Sequence, residues 1–412
     1  MHIIGIVVEY NPFHNGHLYQ IEQIRNKYPK SAILVVMSGH FSQRGLPCIA
    51  DKYTRAQMAL SCGVNLVLEL PTVYATSSAE RFAEAAINTL HLSGIVDTLC
   101  FGSETSDLSL MDELANLLVH EPPFISTQLK VYLNAGESYP RARLLALQDY
   151  LKTSNTPSHY ENLDALLSQP NNILSIEYLK ALKRIQSSIT PFSIQRQSSN
   201  YHDINIEGPI ASATAIRHQI KKGELQLAQD TMPQKAFNLL TESSAKEVLL
   251  DDYTELFHYK MIMSNLETLY ATWDVPKSLI NSLIHASKTF CPLSQIVDHV
   301  TSKTYTRATV QRAILRILLE VNTKDMDALK EINWIPYLHV LACRKDSTHL
   351  LSKLSTNCKL PLLINVGKDY NKLTPLGKTL FDYEMKASKL YALLCQTPNI
   401  AEKDFTHHPI LK

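Results

Sequence analysis

The chain has 412 residues, 45% of them hydrophobic, and a formal net charge of +1. That length allows roughly two or three domains of about 150 residues each, and the apolar content suits a buried core rather than disorder. A charge so near zero excludes a global basic field, so any nucleic-acid partner must be held by local basic patches.

The N-terminus, "MHIIGIVVEYNPFHNGH", has no basic leader, and its apolar run is too short to span a bilayer. It reads as a first strand of a non-membrane protein. Seven cysteines are scattered without any CxxC pair. They fit buried thiols in a reducing cytoplasm, and a cysteine zinc site is not expected.

From there strand and helix alternate. "HIIGIVV" is rich in β-branched residues, and "GHLYQIEQIRNKY" follows with apolar residues at helical spacing. "SAILVVMSG" is a second strand, and "DKYTRAQMALSCG" a helix opened by Asp51 and closed near Gly63. "NLVLELP" is a third strand. "SSAERFAEAAINTLHLSG" is a helix in which Ser77 and Glu80 have capping-box spacing, and "DTLCFGSE" is a fourth strand. Continuous apolar strands between helices imply a parallel sheet covered on both faces.

Residues 107–188 read as a helical insertion. "TPFSIQRQ" then returns as a strand, and "SATAIRHQIKKGE" is a short helix with Ser212 as N-cap and Gly223 past its end. The pattern predicts an α/β, Rossmann-like domain over 1–230 and a mostly helical C-terminal domain over 231–412. The latter shows one strand-like run, "LPLLINVG".

In open parallel sheets ligands sit at the carboxyl ends of strands, and "EYNPFHNGH" occupies that place after strand one. Pro12 and Gly16 bend the chain, the next helix offers amide groups and a positive dipole end to an anion, and His14 and His17 share one small volume. That suits charge building on a phosphate during attack at phosphorus. Two polar histidines decorating a turn is the plain alternative. A metal site is weaker, since HExxH spacing and a third ligand are absent. "LGKT" at Leu376–Thr379 fails as a P-loop because Lys372 stands where its first glycine is required.

"NPFHNGH" resembles the HxGH signature of the nucleotidylyltransferase superfamily, and "SATAIR", Ser212–Arg217, resembles its SSTxIR motif. "GIVVEYNPFHNGH", "VVMSGHFSQRG", "LVLELP", "FGSE", "NNILSIEYLKAL" and "YHD" together resemble the bacterial tRNA(Met) cytidine acetate ligases over nearly the whole chain. The resemblance implies an enzyme that uses ATP to activate acetate as acetyl-adenylate. It then acetylates the exocyclic amine of the wobble cytidine of elongator tRNA(Met), releasing AMP and pyrophosphate. Mg²⁺ is expected with ATP, and the location is cytoplasmic.

Carried over by position, the resemblance makes His14, His17, Thr214 and Arg217 catalytic. The first ATP wall is Val7, Val8, Glu9, Tyr10, Asn11, Pro12, Phe13, His14, Asn15, Gly16, His17, Leu18, Tyr19 and Gln20. Gly102, Asn171, Asn172, Arg196 and Ser212 complete the nucleotide site. Gly102 can equally serve a turn, the asparagines can cap a helix, and Arg196 can be a surface strand residue. Ser38, Gln43 and Arg44 are candidates for acetate or the α-phosphate, with a solvated loop as the alternative.

Four positions depart from the family pattern: His40 replaces Asn, Asn65 replaces Asp, Ser175 stands where Gly is common, and Ala213 replaces the second serine of SSTxIR. For tRNA, "KTYTRATVQRAILRILL" carries Lys303, Arg307, Arg312 and Arg316. Its apolar stripe of Val310, Ile314, Ile317 and Leu318 leaves Arg312 and Arg316 on an outer face as a candidate phosphate track. "RHQIKKG" is another. A small-molecule adenylyltransferase and a non-catalytic nucleotide- or RNA-binding protein are the alternative functions.

Overall fold

Parallel strands covered on both faces read as nearly continuous apolar runs, as the first four strands here do and the edge strand "TPFSIQ" does not. In the computed structural model these strands are β1 (Ile3–Val8), β2 (Ala32–Ser38), β3 (Leu66–Leu70), β4 (Thr98–Ser103) and β5 (Thr190–Gln195). Described are all residues except 106, 138, 154–162, 197–207, 244–246, 398 and 412. The five strands are mutually parallel in the order β5–β4–β1–β2–β3. The winding direction reverses between β1 and β4, and a crevice opens at their carboxyl ends.

Successive side chains of a strand point to opposite faces, so one sheet feeds two cores. Ile3, Leu34 and Leu68 join one core, and Ile4, Val35 and Val67 the other. Helices α1 (Asn15–Lys27) and α2 (Lys52–Ser61) cover the second face, while α3 (Thr72–Ala75) and α4 (Ala79–Leu92) cover the first. Asp51 caps α2 through the amides of Tyr53 and Thr54, as expected. The cap of α4 is Ser78 rather than Ser77, whose hydroxyl donates instead to the Val73 carbonyl at 2.8 Å.

The insertion is helical where described: α5 (Leu108–Val119), α6 (Pro123–Asn134), α7 (Tyr139–Thr153), α8 (Leu163–Ser168) and α9 (Pro170–Arg184). After β5 comes α10 (Ala213–Lys221), capped by Ser212, with Gly223 at φ +80° beyond its end. The "YHD" stretch, residues 201–203, lies outside the described residues.

The C-terminal half runs through α11 (Leu225–Asp230), α12 (Gln234–Glu242), α13 (Thr254–Met263), α14 (Leu266–Tyr270), α15 (Lys277–Ala286), α16 (Leu293–Val300), α17 (Arg307–Leu319) and α18 (Thr323–Glu331). It then returns to the sheet. β6 (Leu338–Arg344) pairs antiparallel with β3, aligning Leu66 with Cys343. "LPLLINVG" supplies only the two-residue β7 (Leu362–Leu363), after α19 (His349–Asn357). α20 (Val366–Asp369), α21 (Pro375–Leu394), α22 (Asn399–Thr406) and β8 (Ile410–Leu411) follow. The eight-stranded sheet therefore crosses the expected boundary near residue 230.

A buried ionic cluster fastens the two halves. Lys52 Nζ, fully buried, lies 2.7 Å from Glu69, 2.6 Å from Asp404 and 3.5 Å from Glu384. Tyr53 donates its hydroxyl to Asp404 at 2.6 Å, and His339 on β6 sits 2.6 Å from Glu69. Burial alone would raise the Asp404 carboxyl, but the Lys52 ammonium outweighs it and holds the group near 2. Burial and then Glu69 push Glu384 up to about 8, so one carboxyl of the set keeps its proton.

Candidate active site

The chain leaves β1 and enters α1 through a reciprocal cap made of two histidines. His14 is the N-cap: its Nδ1 accepts from the Gly16 amide at 3.1 Å, while His17 Nδ1 accepts from the His14 amide at 3.2 Å. The rings stack 3.7 Å apart. An imidazole nitrogen that accepts a hydrogen bond carries no proton, so both neutral rings hold theirs on Nε2, the atom left for a ligand. Burial, then the charges of Arg196 and Arg217, lower His14 to about 3. Burial, then His14 and Arg196, lower His17 as well. Both are therefore neutral donors at pH 7.

Gly16 suits this geometry, because a Cβ there would lie 3.0 Å from His14 Cε1 and press on the capping ring. Tyr10 and Phe13 back the pair, with Tyr10 4.8 Å edge-on to His17. The anion site expected from free helix amides takes a different form. The Asn15 amide donates to Thr231 O, Gly16 to His14 Nδ1 and His17 to His14 O, so the first turn of α1 is already satisfied. The donors that line the cavity are instead the imidazoles of His14 and His17 and the guanidinium groups of Arg196 and Arg217.

A cavity of about 220 Å³ opens beside the histidines at the β1–β4 crevice. Val7, Val8, Glu9, Tyr10 and Asn11 form its floor, and Gln20 reaches it from α1. A narrower continuation of about 40 Å³ runs past Gly16, Tyr19 and Gly102. Gly102 touches both, and a Cβ on it would meet Arg196 Cγ at 3.3 Å. From α10, Ser212, Ala213, Thr214 and Arg217 line the cavity. Ser212 Oγ caps the Ala215 amide at 3.1 Å, while the first-turn amides of Ala213 and Thr214 have no acceptor within the helix. Arg217 donates to Asn11 O at 2.6 Å and to Thr214 Oγ1 at 3.2 Å, locking the second motif onto the first.

The "FGSE" exit is fixed by a residue the sequence reading did not single out. Glu104 accepts from the amides of Asn171 and Asn172 and from Asn171 Nδ2, the last at 2.6 Å. Asn172 Oδ1 accepts in return from the Glu104 and Thr105 amides. Asn171 thereby faces the cavity, while Asn172 is buried and does not line it.

The "FSQRG" loop brings Ser42, Gln43 and Arg44 to the opposite wall, and Glu9 accepts from the Gln43 amide at 2.6 Å. Arg55, also missed, is wholly buried and donates to the carbonyls of Glu9, Ser38, Gly39 and Ala50, clasping the ends of β1 and β2 together. Its signal was a lone arginine inside the "DKYTRAQMAL" helix. Among the described residues, no group of three or more His, Cys, Asp or Glu is placed to hold a metal. Among them, too, no helix is long and apolar enough to cross a membrane.

The family model described as HIGH Nucleotidyl Transferase matches residues 1–406. The tRNA(Met) cytidine acetate ligase of Thermoanaerobacter sp. is 36% identical over 415 residues, and that of Clostridium perfringens 36% over 413, each covering all of both chains. The chain belongs to the tRNA(Met) cytidine acetate ligase family. Thermotoga maritima TmcAL superposes with a TM-score of 0.93 at 29% identity, covering 100% of this chain and 99% of that one. A second TmcAL structure, bound with alpha-thio ATP, superposes at 0.91, also at 29% identity, with 100% of each chain covered.

Several residues expected from the ligase family pattern serve the scaffold rather than the cavity wall. Phe13 and Ser38 are fully buried, and Pro12 lies behind the wall. Asn15 Nδ2 donates to the Pro209 and Asp230 carbonyls, and Leu18 packs with the second core. The departures also have structural partners. His40 stacks 4.5 Å from Tyr391, Asn65 bridges the Ile33 amide and Ser347 Oγ, and Ser175 Oγ donates to Asn171 O.

The expected basic face of α17 is revised. Arg316 is 3% exposed, pairs with Asp274 at 2.8 Å and donates to Thr76 O and Ser77 Oγ. It is a core residue, because α17 is enclosed on nearly every side. Arg312 is half-buried, and its backbone abuts the "FSQRG" loop. A Cβ on Gly45, at φ +76°, would lie 2.9 Å from the Arg312 nitrogen. Lys303 and Arg307 are exposed, Arg307 pairing with Asp298.

Proposed function

We propose that this cavity binds ATP, entering with Mg²⁺ on its phosphates, together with acetate, and that the protein acetylates elongator tRNA(Met). A carboxylate oxygen of acetate attacks the α-phosphorus, forming a new O–P bond. The bond to the bridging oxygen breaks, and pyrophosphate leaves with the electron pair. The exocyclic amine of the wobble cytidine then attacks the acetyl carbonyl, AMP departs, and the amine gives up a proton.

The observation that carries this reading is the reciprocal histidine cap. It holds two neutral Nε2–H donors beside Arg196 and Arg217, at the crevice where negative charge would grow during phosphoryl transfer. Arg217 and Thr214 suit the departing pyrophosphate, and Gln43 and Arg44 suit acetate or the α-phosphate. Lys303, Arg307 and the edge of Arg312 supply positive charge for tRNA. The test is pyrophosphate exchange into ATP with and without acetate, followed by acetyl transfer to tRNA with AMP measured. Acetate-dependent exchange and an acetylated cytidine are expected. Nucleotide transfer to a phosphorylated metabolite, without acetate dependence, would replace this reading with that of an adenylyltransferase.

A further inference from the structure

The cavity straddles the crest of the sheet and has two chemically different sides. His14, His17, Thr214 and Arg217 reach it from α1 and α10, which cover one face. From the other face come Phe82 on α4 and Leu174 and Tyr178 on α9, joined by Phe101 on β4. Phe82, Phe101 and Tyr178 are each 4% exposed or less, and Leu174 is half-buried against them. The Phe101 and Tyr178 rings lie 6.0 Å apart. None of these four side chains carries charge to hold a phosphate, and none belongs to either nucleotide motif.

A second, narrower space at the strand ends is lined by Gly102, Ile194 and Arg196, and the Arg196 side chain lies against Gly102. The aromatic side shares one cavity with His14, His17, Arg196 and Arg217, so it suits a small apolar group held next to the α-phosphate. Tyr178 brings a polar tip to that apolar wall. Burial, then the Glu9 carboxylate, keep its hydroxyl protonated, and among the described residues no hydrogen bond engages it.

We propose that Phe82, Phe101, Leu174 and Tyr178 form the acyl pocket, which encloses the alkyl group of the carboxylate substrate and limits its chain length, with Tyr178 Oη donating to the acyl oxygen. This inference rests on the acyl-adenylate reading above. It assigns the specificity of that reaction for a short, unbranched monocarboxylate to residues outside both motifs.

The experiment compares acetate, propionate and butyrate in pyrophosphate exchange with ATP, for the native protein and for Leu174→Ala, Leu174→Phe and Tyr178→Phe. A methylene in an apolar pocket is worth on the order of 10–200-fold in kcat/KM. Native protein is expected to favour acetate over propionate by that order. Leu174→Ala should narrow the ratio about tenfold by making room, and Leu174→Phe should widen it. Tyr178→Phe should raise the KM for acetate up to about tenfold, as for one hydrogen bond, while the KM for ATP stays unchanged. An unchanged carboxylate ratio in both Leu174 variants, with native ATP affinity proving them folded, overturns the acyl pocket alone. Exchange that no carboxylate stimulates, even in native protein, overturns the underlying reaction instead.

Discussion

Two groups of buried ionisable side chains sit at the carboxyl ends of neighbouring strands, and they treat charge in opposite ways. Beside β1, burial and nearby positive charge, Arg196 above all, strip the proton from His14 and His17, leaving neutral donors at an open cavity. Beside β2 and β3, Lys52 and Asp404 keep full charges in a closed cluster because each compensates the other. Charge is discarded where a substrate will bring its own, and retained where the chain supplies the counter-charge. The proposed catalytic role of the first group and the scaffolding role of the second follow from that one difference.

Removing one side of the closed cluster should have the largest effect. Lys52→Ala strands Glu69 and Asp404 in the core and should cost about 3–5 kcal/mol in urea unfolding. A loss under about 1 kcal/mol would show that the cluster is not what fastens the halves. The open pair should respond in the opposite manner. His17→Ala should slow acetate-dependent exchange by about two orders of magnitude or more, yet lower stability only by about 1 kcal/mol, the worth of a cap. A variant that unfolds, or one that turns over normally, would erase the distinction between the two regions.

Arg316 extends the comparison to a third buried charge. Arg316→Ala should lower stability by about 2 kcal/mol, the scale of a lost charged hydrogen bond, without changing the salt dependence of tRNA binding. Replacing Lys303 and Arg307 together should leave stability intact and reduce that salt slope by about one for each phosphate no longer neutralised. If Arg316→Ala alone flattens the slope in a folded protein, the arginine belongs to the RNA surface after all.

The gentlest test is pH. The folded Glu384 carboxyl sits near 8, above its ordinary 4.5. Its contribution to stability is whole below the ordinary value and is lost as pH climbs through about 8. His14, lowered from 6.5 to about 3, acts in reverse, because the unfolded chain takes up a proton first as pH falls below 6.5. Urea midpoints of Glu384→Gln should therefore vary less between pH 5 and 8 than those of the native protein. The profile of kcat/KM for exchange should show no break near pH 6.5 from His14 or His17. A histidine break there would mean that the free enzyme holds a charged ring.

The N-terminal sheet was legible because β1 to β4 are continuous apolar runs with turn signals at each end, a pattern that admits one reading. The histidine pair and "SATAIR" were legible because their spacing sits on strand ends and helix starts. β6 was not. "LHVLACR" is short and mixes His339 and Arg344 with apolar residues, and only the bare edge of β3 makes it a strand. Arg316 was misplaced because periodicity identifies one apolar face, and α17 is covered on more than one. Lys52, Glu69, Glu384 and Asp404 carried no local signal, since their partners are distant in sequence. Glu104 and Arg55 were hidden for the same reason, one binding across 67 residues and the other across 46.

The late arrival of β6 and α22 has a consequence for how the chain is made. The hydrogen bond from Tyr53 to Asp404 spans 351 residues, so at ordinary ribosomal speeds Tyr53 and Lys52 wait roughly 20 to 70 seconds for Asp404. Until β6 is made the β3 edge offers unpaired amides, and until Asp404 follows the lysine has yet to meet its strongest counter-charge. The nucleotide half is thus synthesised first but sealed last, and a nascent chain stalled before β6 presents the strand edge most open to a chaperone.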